Sequence, residues 1–289
     1  METQRSLVEK AVLNGVMLLW FALTALSVAF VALDIRNTPE SPVLKWGFVL
    51  IAVYLGPFGA FLYVLGCREP LSGLHERYVA VRWRQTLGST MHCVAGDGVG
   101  ILAGAAIGSI LVLPPATELA LEYALGFGFG WTIFQALFMR GMAGGSYLRS
   151  LAGTFVPEFL SMNFLMAGMA PTAVLGWRLI GGRPGPLSPA FWFVMSMALL
   201  AGFIVAYPIN WQLVAKGLKH GMMTVRPAAD GDLSKASATM DGGSTIGHVT
   251  HEAKASAQTA PLAWTMVMAL LSVGAFVLAI AASFAVAAA

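Results

Sequence analysis

Seven long apolar runs, separated by short polar stretches, set the pattern of the chain. They lie near 11–33, 45–66, 91–113, 116–138, 154–176, 189–213 and 261–287. At ~1.5 Å per residue each could cross ~30 Å of hydrocarbon as a helix. The pattern predicts an all-α fold, a polytopic transmembrane helix bundle of about seven spans. The connection Leu113-Pro114-Pro115-Ala116 is so short that the third and fourth runs must form an antiparallel hairpin. The expected organisation is two N-terminal transmembrane helices (1–66), a basic cytoplasmic segment (67–90), a four-helix core (91–225), a flexible linker (226–260) and a C-terminal transmembrane helix (261–289). The linker assignment rests on a Ser-, Ala-, Gly- and Asp-rich run without periodicity.

Polar residues inside the apolar runs are the informative exceptions. In Phe155–Met169, Glu158, Met162, Met166 and Met169 share one helical face, with Asn163 at its edge. The third run opens with Met91-His92-Cys93 and carries Asp97 one turn deeper. Gln135 and Met139 end the fourth run, and Tyr207 and Asn210 lie late in the sixth, followed by His220, Met222 and Met223. A carboxylate or amide in hydrocarbon is costly unless it faces protein or water. Asp97, Gln135, Glu158, Asn163, Tyr207 and Asn210 are therefore expected to enclose one polar pocket. Glu118 and Glu122 read as interfacial. Gly96, Gly100, Gly104 and Gly108 recur every four residues in the third run, as do Gly126 and Gly130 in the fourth. Such stripes let helix backbones approach closely.

Composition agrees with the pattern: of 289 residues, 57% are hydrophobic and only 11% charged, against roughly 25% charged in soluble domains. The net charge of +3 reflects basic residues placed between spans, which act as topology signals and not as a nucleic-acid surface. With the N-terminus inside, thirteen of the 17 basic residues fall on the inner side, so the positive-inside rule predicts N-in and C-out. The expected location is the cell (inner) membrane, multi-pass, with the lipid bilayer as partner. Cys67 and Cys93 do not make a disulfide framework. In HERYVAVRWRQ, Arg77, Trp83 and Arg84 suit either a surface helix on anionic headgroups or a plain cytoplasmic loop.

Three functional readings compete. A soft-metal carrier, with copper as the ion, would use His92, Cys93, Met139, Met162, Met166, Met169 and His220, because thiol, thioether and imidazole donors favour Cu(I). The alternative is a non-catalytic subunit or scaffold whose polar groups only lock helices together, since methionine stripes are ordinarily packing. A third is a proton- or cation-coupled carrier, or a membrane enzyme, using Asp97 and Glu158. No Walker loop, HExxH, GxSxG or CxxC occurs, so no catalytic residue is assigned. His248 and His251 form an HxxH in the linker, a spacing of low specificity. The runs MHCVAGDGVGI, PEFLSMNFLMAGMAP and YPINWQLVAKGLKHGM resemble a bacterial membrane family called domain of unknown function 4396, over roughly Arg82 to Val225. The resemblance implies a core of spans three to six and no particular activity.

Overall fold

The computed structural model describes residues 2–69, 71, 73–140, 145–221 and 261–288, with the side chains of those between 10 and 286. Met222, Met223, His248, His251 and the linker lie outside the described residues. All regular structure among the described residues is helical. Five helices are long and apolar enough to cross a membrane: Lys10–Asn37, Arg82–Ile110, Tyr147–Leu179, Pro189–Ala215 and Leu262–Val286. The chain is thus a multi-pass membrane protein.

In order, α1 is Glu2–Asp34, α2 Pro42–Leu55, α3 Pro57–Gly66, α4 His75–Val79, α5 Arg82–Ile110, α6 Pro115–Phe129, α7 Ala136–Met139, α8 Tyr147–Leu179, α9 Pro189–Ala215 and α10 Leu262–Ala288. A π-helical turn, Gly130–Gln135, joins α6 to α7. The central helix is α5, buried along much of its length against α2, α6, α9 and the π turn. Its glycine stripe faces α6. A Cβ at Gly104 would stand 2.8 Å from Glu122 Cα, and one at Gly108 would stand 2.6 Å from Glu118 Cγ. A second small-residue contact joins α8 to α9, where a Cβ at Gly168 would meet the Ala201 carbonyl at 2.7 Å. By contrast α1 and α10 expose most of their apolar surface.

The run expected to be a second span, 45–66, is not one helix. It breaks at Gly56, whose φ of 54° suits glycine and is followed by Pro57. The chain doubles back sharply, for a Cβ at Gly59 would lie 2.8 Å from Ala52 Cα. The two outer ends of this hairpin meet at the top of α1. Tyr63 Oη donates to Asp34 at 2.7 Å and lies 3.0 Å from Thr38 Oγ1, while Arg68 pairs with Asp34 at 2.9 Å. The tip at Gly56 packs on Trp20 and Thr24, partway down α1. So α2 and α3 form a hairpin whose two outer ends lie at the same end of the bundle.

Two ends of the bundle follow from this. One gathers the start of α1 with Ile180–Pro184, the Glu118–Arg183 ion pair and the contact of Arg178 with the Val286 carbonyl. The other gathers Asp34–Ser41, Cys67, Arg68, α4, the start of α5 and the residues just after α9, as the bonds Arg68–Asp34, Arg84–Leu65, Tyr207–Trp83 and Gly221–Gln85 record. The basic segment 67–90 is also reshaped. Only the five residues of α4 form a separate helix, and Trp83 and Arg84 already belong to α5. The Arg84 guanidinium lies 3.6 Å over the Tyr78 ring and caps the Leu65 and Tyr78 carbonyls, so it braces the rim.

Candidate functional site: a buried charged centre

Two helices, the π turn and the segment after α9 build the centre. From α5, His92, Cys93 and Asp97 point into the bundle, all nearly or fully buried. From α8 comes Glu158, fully buried and directly after Pro157. The π turn brings Phe134 and Gln135 against His92, whose ring lies 5.6 Å from Phe134 and 4.6 Å from Phe138. An extra residue in one helical turn re-aims the side chains that follow it, which is why such turns recur at functional sites. Here the turn begins at Gly130, where any Cβ would collide with the Asp97 carboxylate.

The last member comes from beyond α9. Gly217, with φ 68°, ends that helix in a Schellman motif: Leu218 N–H bonds the Leu213 carbonyl at 2.9 Å and Gly217 N–H bonds Val214 at 3.0 Å. Leu218 returns onto Leu213 in a small apolar cluster, and Gly221 packs against Gln85 at the start of α5. This reversal drives Lys219 into the bundle at 1% exposure. Its Nζ lies 2.7 Å from Cys93 Sγ and 3.1 Å from Glu158 Oε2, and Cys93 Sγ–H donates to the same oxygen at 3.3 Å. Burial alone would disfavour the Lys219 ammonium. The Glu158 carboxylate and the Cys93 sulfur accept from the ammonium and offset that cost.

Lys219 was expected to be an inner-surface topology signal, and the structure corrects this. A Lys-Gly-Leu-Lys run at a helix end was the available clue, because glycine there signals a chain reversal and leucine a return to apolar packing.

The centre is incompletely paired. Both Asp97 carboxyl oxygens, Glu158 Oε1 and His92 Nε2 are buried without a hydrogen-bond partner. Asp97 and Glu158 are neighbours close enough to interact through their carboxyls.

The other residues singled out in the sequence have different surroundings. Asn210 Nδ2 donates to Ser161 at 2.9 Å and to the Ala206 carbonyl at 3.0 Å, joining α9 to α8. Asn163 faces away, accepting from Tyr123 at 2.8 Å and donating to Ser272 of α10 at 3.1 Å. Tyr207 donates to the Trp83 carbonyl at 3.1 Å. The methyl of Met162 packs against Gly126, while Met166 and Met169 belong to the apolar core. Met139 and His220 are half-buried, and burial pulls the His220 pKa below its usual value. Glu118 and Glu122, read from the sequence as interfacial, are buried within the protein and line an apolar cavity of about 510 Å³ at the opposite end.

The start of α5 and the end at Lys219 coincide with a sequence boundary. Residues 82–219 match the family described as Domain of unknown function (DUF4396). Every side chain of the charged centre lies within the matched stretch, whereas α1–α4 and α10 lie outside it. No curated protein and no solved structure matches the chain.

Proposed function

We propose that the protein binds a proton or a small monovalent cation at Asp97 and Glu158 and passes it across the membrane, with Lys219 as a built-in counter-charge. The observation that carries this reading is the unpartnered Asp97 carboxyl beside the buried Lys219–Glu158 pair. Two carboxyls face one ammonium, and the thiol, which donates its hydrogen to Glu158, counts as neutral. With both carboxyls ionised, the centre holds one negative charge too many for a low-dielectric site, and a proton or a cation makes up the difference.

The arrangement supports copper poorly. The Cys93 sulfur is engaged by Lys219 and Glu158, a positive group sits where a metal would have to be, and the methionine stripe packs against glycine and apolar side chains. The Asn163 and Asn210 bonds favour the helix-locking reading for those two residues.

Orientation follows from the re-entrant hairpin. Removing one crossing leaves α1, α5, α6–α7, α8, α9 and α10 as six crossings of the cell membrane. Arg36, Lys45, Arg68, Arg77, Arg82, Arg84, Arg140, Arg149 and Lys216 then gather at one end, against Arg5, Lys10, Arg178 and Arg183 at the other. By the positive-inside rule the first end is cytoplasmic. Both the α1 start and the α10 end are therefore outside, which reverses the N-in expectation for the N-terminus.

The test uses the full chain in liposomes containing a pH-sensitive dye, with a potassium diffusion potential and with or without a sodium gradient. Wild type should carry protons or sodium above protein-free vesicles, and Asp97→Asn and Glu158→Gln should abolish the flux. Folded wild type indistinguishable from empty vesicles under both gradients would overturn the reading.

A further inference from the structure

A second cluster lies outside the matched stretch, at the rim of the re-entrant hairpin. Glu40, Cys67 and His75 are 4%, 0% and 0% exposed, and one donor atom from each lies within 4.8 Å of the others. The three come from different pieces of chain: the turn before α2, the residue after α3 and the first residue of α4. No spacing motif connects positions so far apart, which is why the sequence pattern did not reveal them.

Local structure orients each donor. Glu40 Oε2 accepts from Ser41 N at 3.3 Å, while Oε1 lies 3.7 Å from His75 Nε2. Ser41 then caps α2 by accepting from Leu44 N at 3.3 Å. Glu69 Oε1 accepts from the backbone N–H groups of Gly73 and His75, at 2.6 and 3.2 Å, which fixes the start of α4. His75 Nε2 lies 3.1 Å from the Cys67 carbonyl and faces Glu40 Oε1, so binding a metal through this nitrogen exchanges its proton and its carbonyl contact for the ion.

We propose that Glu40, Cys67 and His75 bind one Zn²⁺ ion, which clips both arms of the re-entrant hairpin to α4. The donor set decides the class of metal. Thiolate and imidazole are poor ligands for Mg²⁺ or Ca²⁺, and a carboxylate is a poor ligand for Cu(I), whereas Zn²⁺ accepts sulfur, nitrogen and oxygen together. Charge agrees, since one thiolate and one carboxylate neutralise a divalent cation, as a buried site requires. The clip joins residues 27 and 35 positions along the chain from Glu40, counting from 40 to 67 and to 75. It would hold closed a hairpin whose helices are individually too short to span a membrane. Three protein ligands leave one tetrahedral position for water or another small donor.

The test strips the detergent-purified full chain with a chelator and reloads it with Zn²⁺ or Co²⁺. Wild type should retain one zinc per chain, and the cobalt form should show thiolate-to-metal charge-transfer absorption. Cys67→Ser should abolish that absorption, and Cys67→Ser and His75→Gln should each weaken zinc binding by roughly tenfold or more. Cys93→Ser should leave both readouts unchanged. Absence of thiolate charge transfer in folded wild type overturns the proposal without any variant. So does absorption that persists in Cys67→Ser, or that disappears in a Cys93→Ser variant that remains folded by size-exclusion chromatography.

Discussion

Lys219 shows how much one side chain depends on its partners. A lysine at 1% exposure is tolerable only because Glu158 and Cys93 are within hydrogen-bond reach. Removing one member of a buried ion pair strands the other, a loss of ~3–5 kcal/mol. Lys219→Met should therefore lower the thermal unfolding temperature in detergent more than the double variant Lys219→Met with Glu158→Gln, which removes the stranded Glu158 carboxylate. Unfolding curves of the two single variants and the double variant form the required cycle. Gly130 makes a complementary case. Its missing side chain is the space occupied by the Asp97 carboxylate. Gly130→Ala should be destabilising in the wild-type background and milder beside Asp97→Ala, where the obstructing oxygens are gone. Equal shifts in both backgrounds would show that Asp97 is not the obstacle.

Among the elements, α5 and the α2–α3 hairpin have the clearest sequence determinants. The α5 stripe is cut to fit α6, since a Cβ at Gly104 would already press on the Glu122 backbone. Gly104→Leu should force the two helices apart and reduce folded yield, read by size-exclusion chromatography after detergent extraction. Glycines spaced by four announced this contact, because close approach in a membrane needs small residues on one face. At the hairpin, Gly56 adopts φ 54° and ψ −130°, and a Cβ there would lie 2.5 Å from Thr24 Oγ1. Gly56→Ala should cost ~1–3 kcal/mol in unfolding free energy through backbone strain, with the hairpin also lifted from α1. Gly56-Pro57 was visible in the sequence as a break signal. Its consequence was not, because an apolar run of 22 residues, from 45 to 66, has the right length and hydropathy for a single span.

For the whole molecule, the proposed orientation rests on the parity of crossings. Six crossings with the basic end inside require positions near Gly182 and the start of α1 to be outside, and positions near Ser146 to be inside. Single cysteines at Ser6, Ser146 and Gly182, tested with a membrane-impermeant thiol reagent on intact cells, should label at Ser6 and Gly182 only. Labelling at Ser146 alone would restore the opposite orientation. What the sequence determined by itself is what depends on composition and near-neighbour spacing: an apolar helical bundle, the Pro-Pro hairpin between α5 and α6, the glycine contact, and Asp97 and Glu158 as costly intramembrane acids. Hydropathy and helical periodicity are local, so these features survive without knowledge of the fold. Only the tertiary structure decided that α2 and α3 turn back, that Lys219 is a core residue rather than a surface one, and that Glu40, Cys67 and His75 meet. Each of those depends on where a chain goes after a glycine turn, and that direction is set by the surfaces against which the returning segment packs.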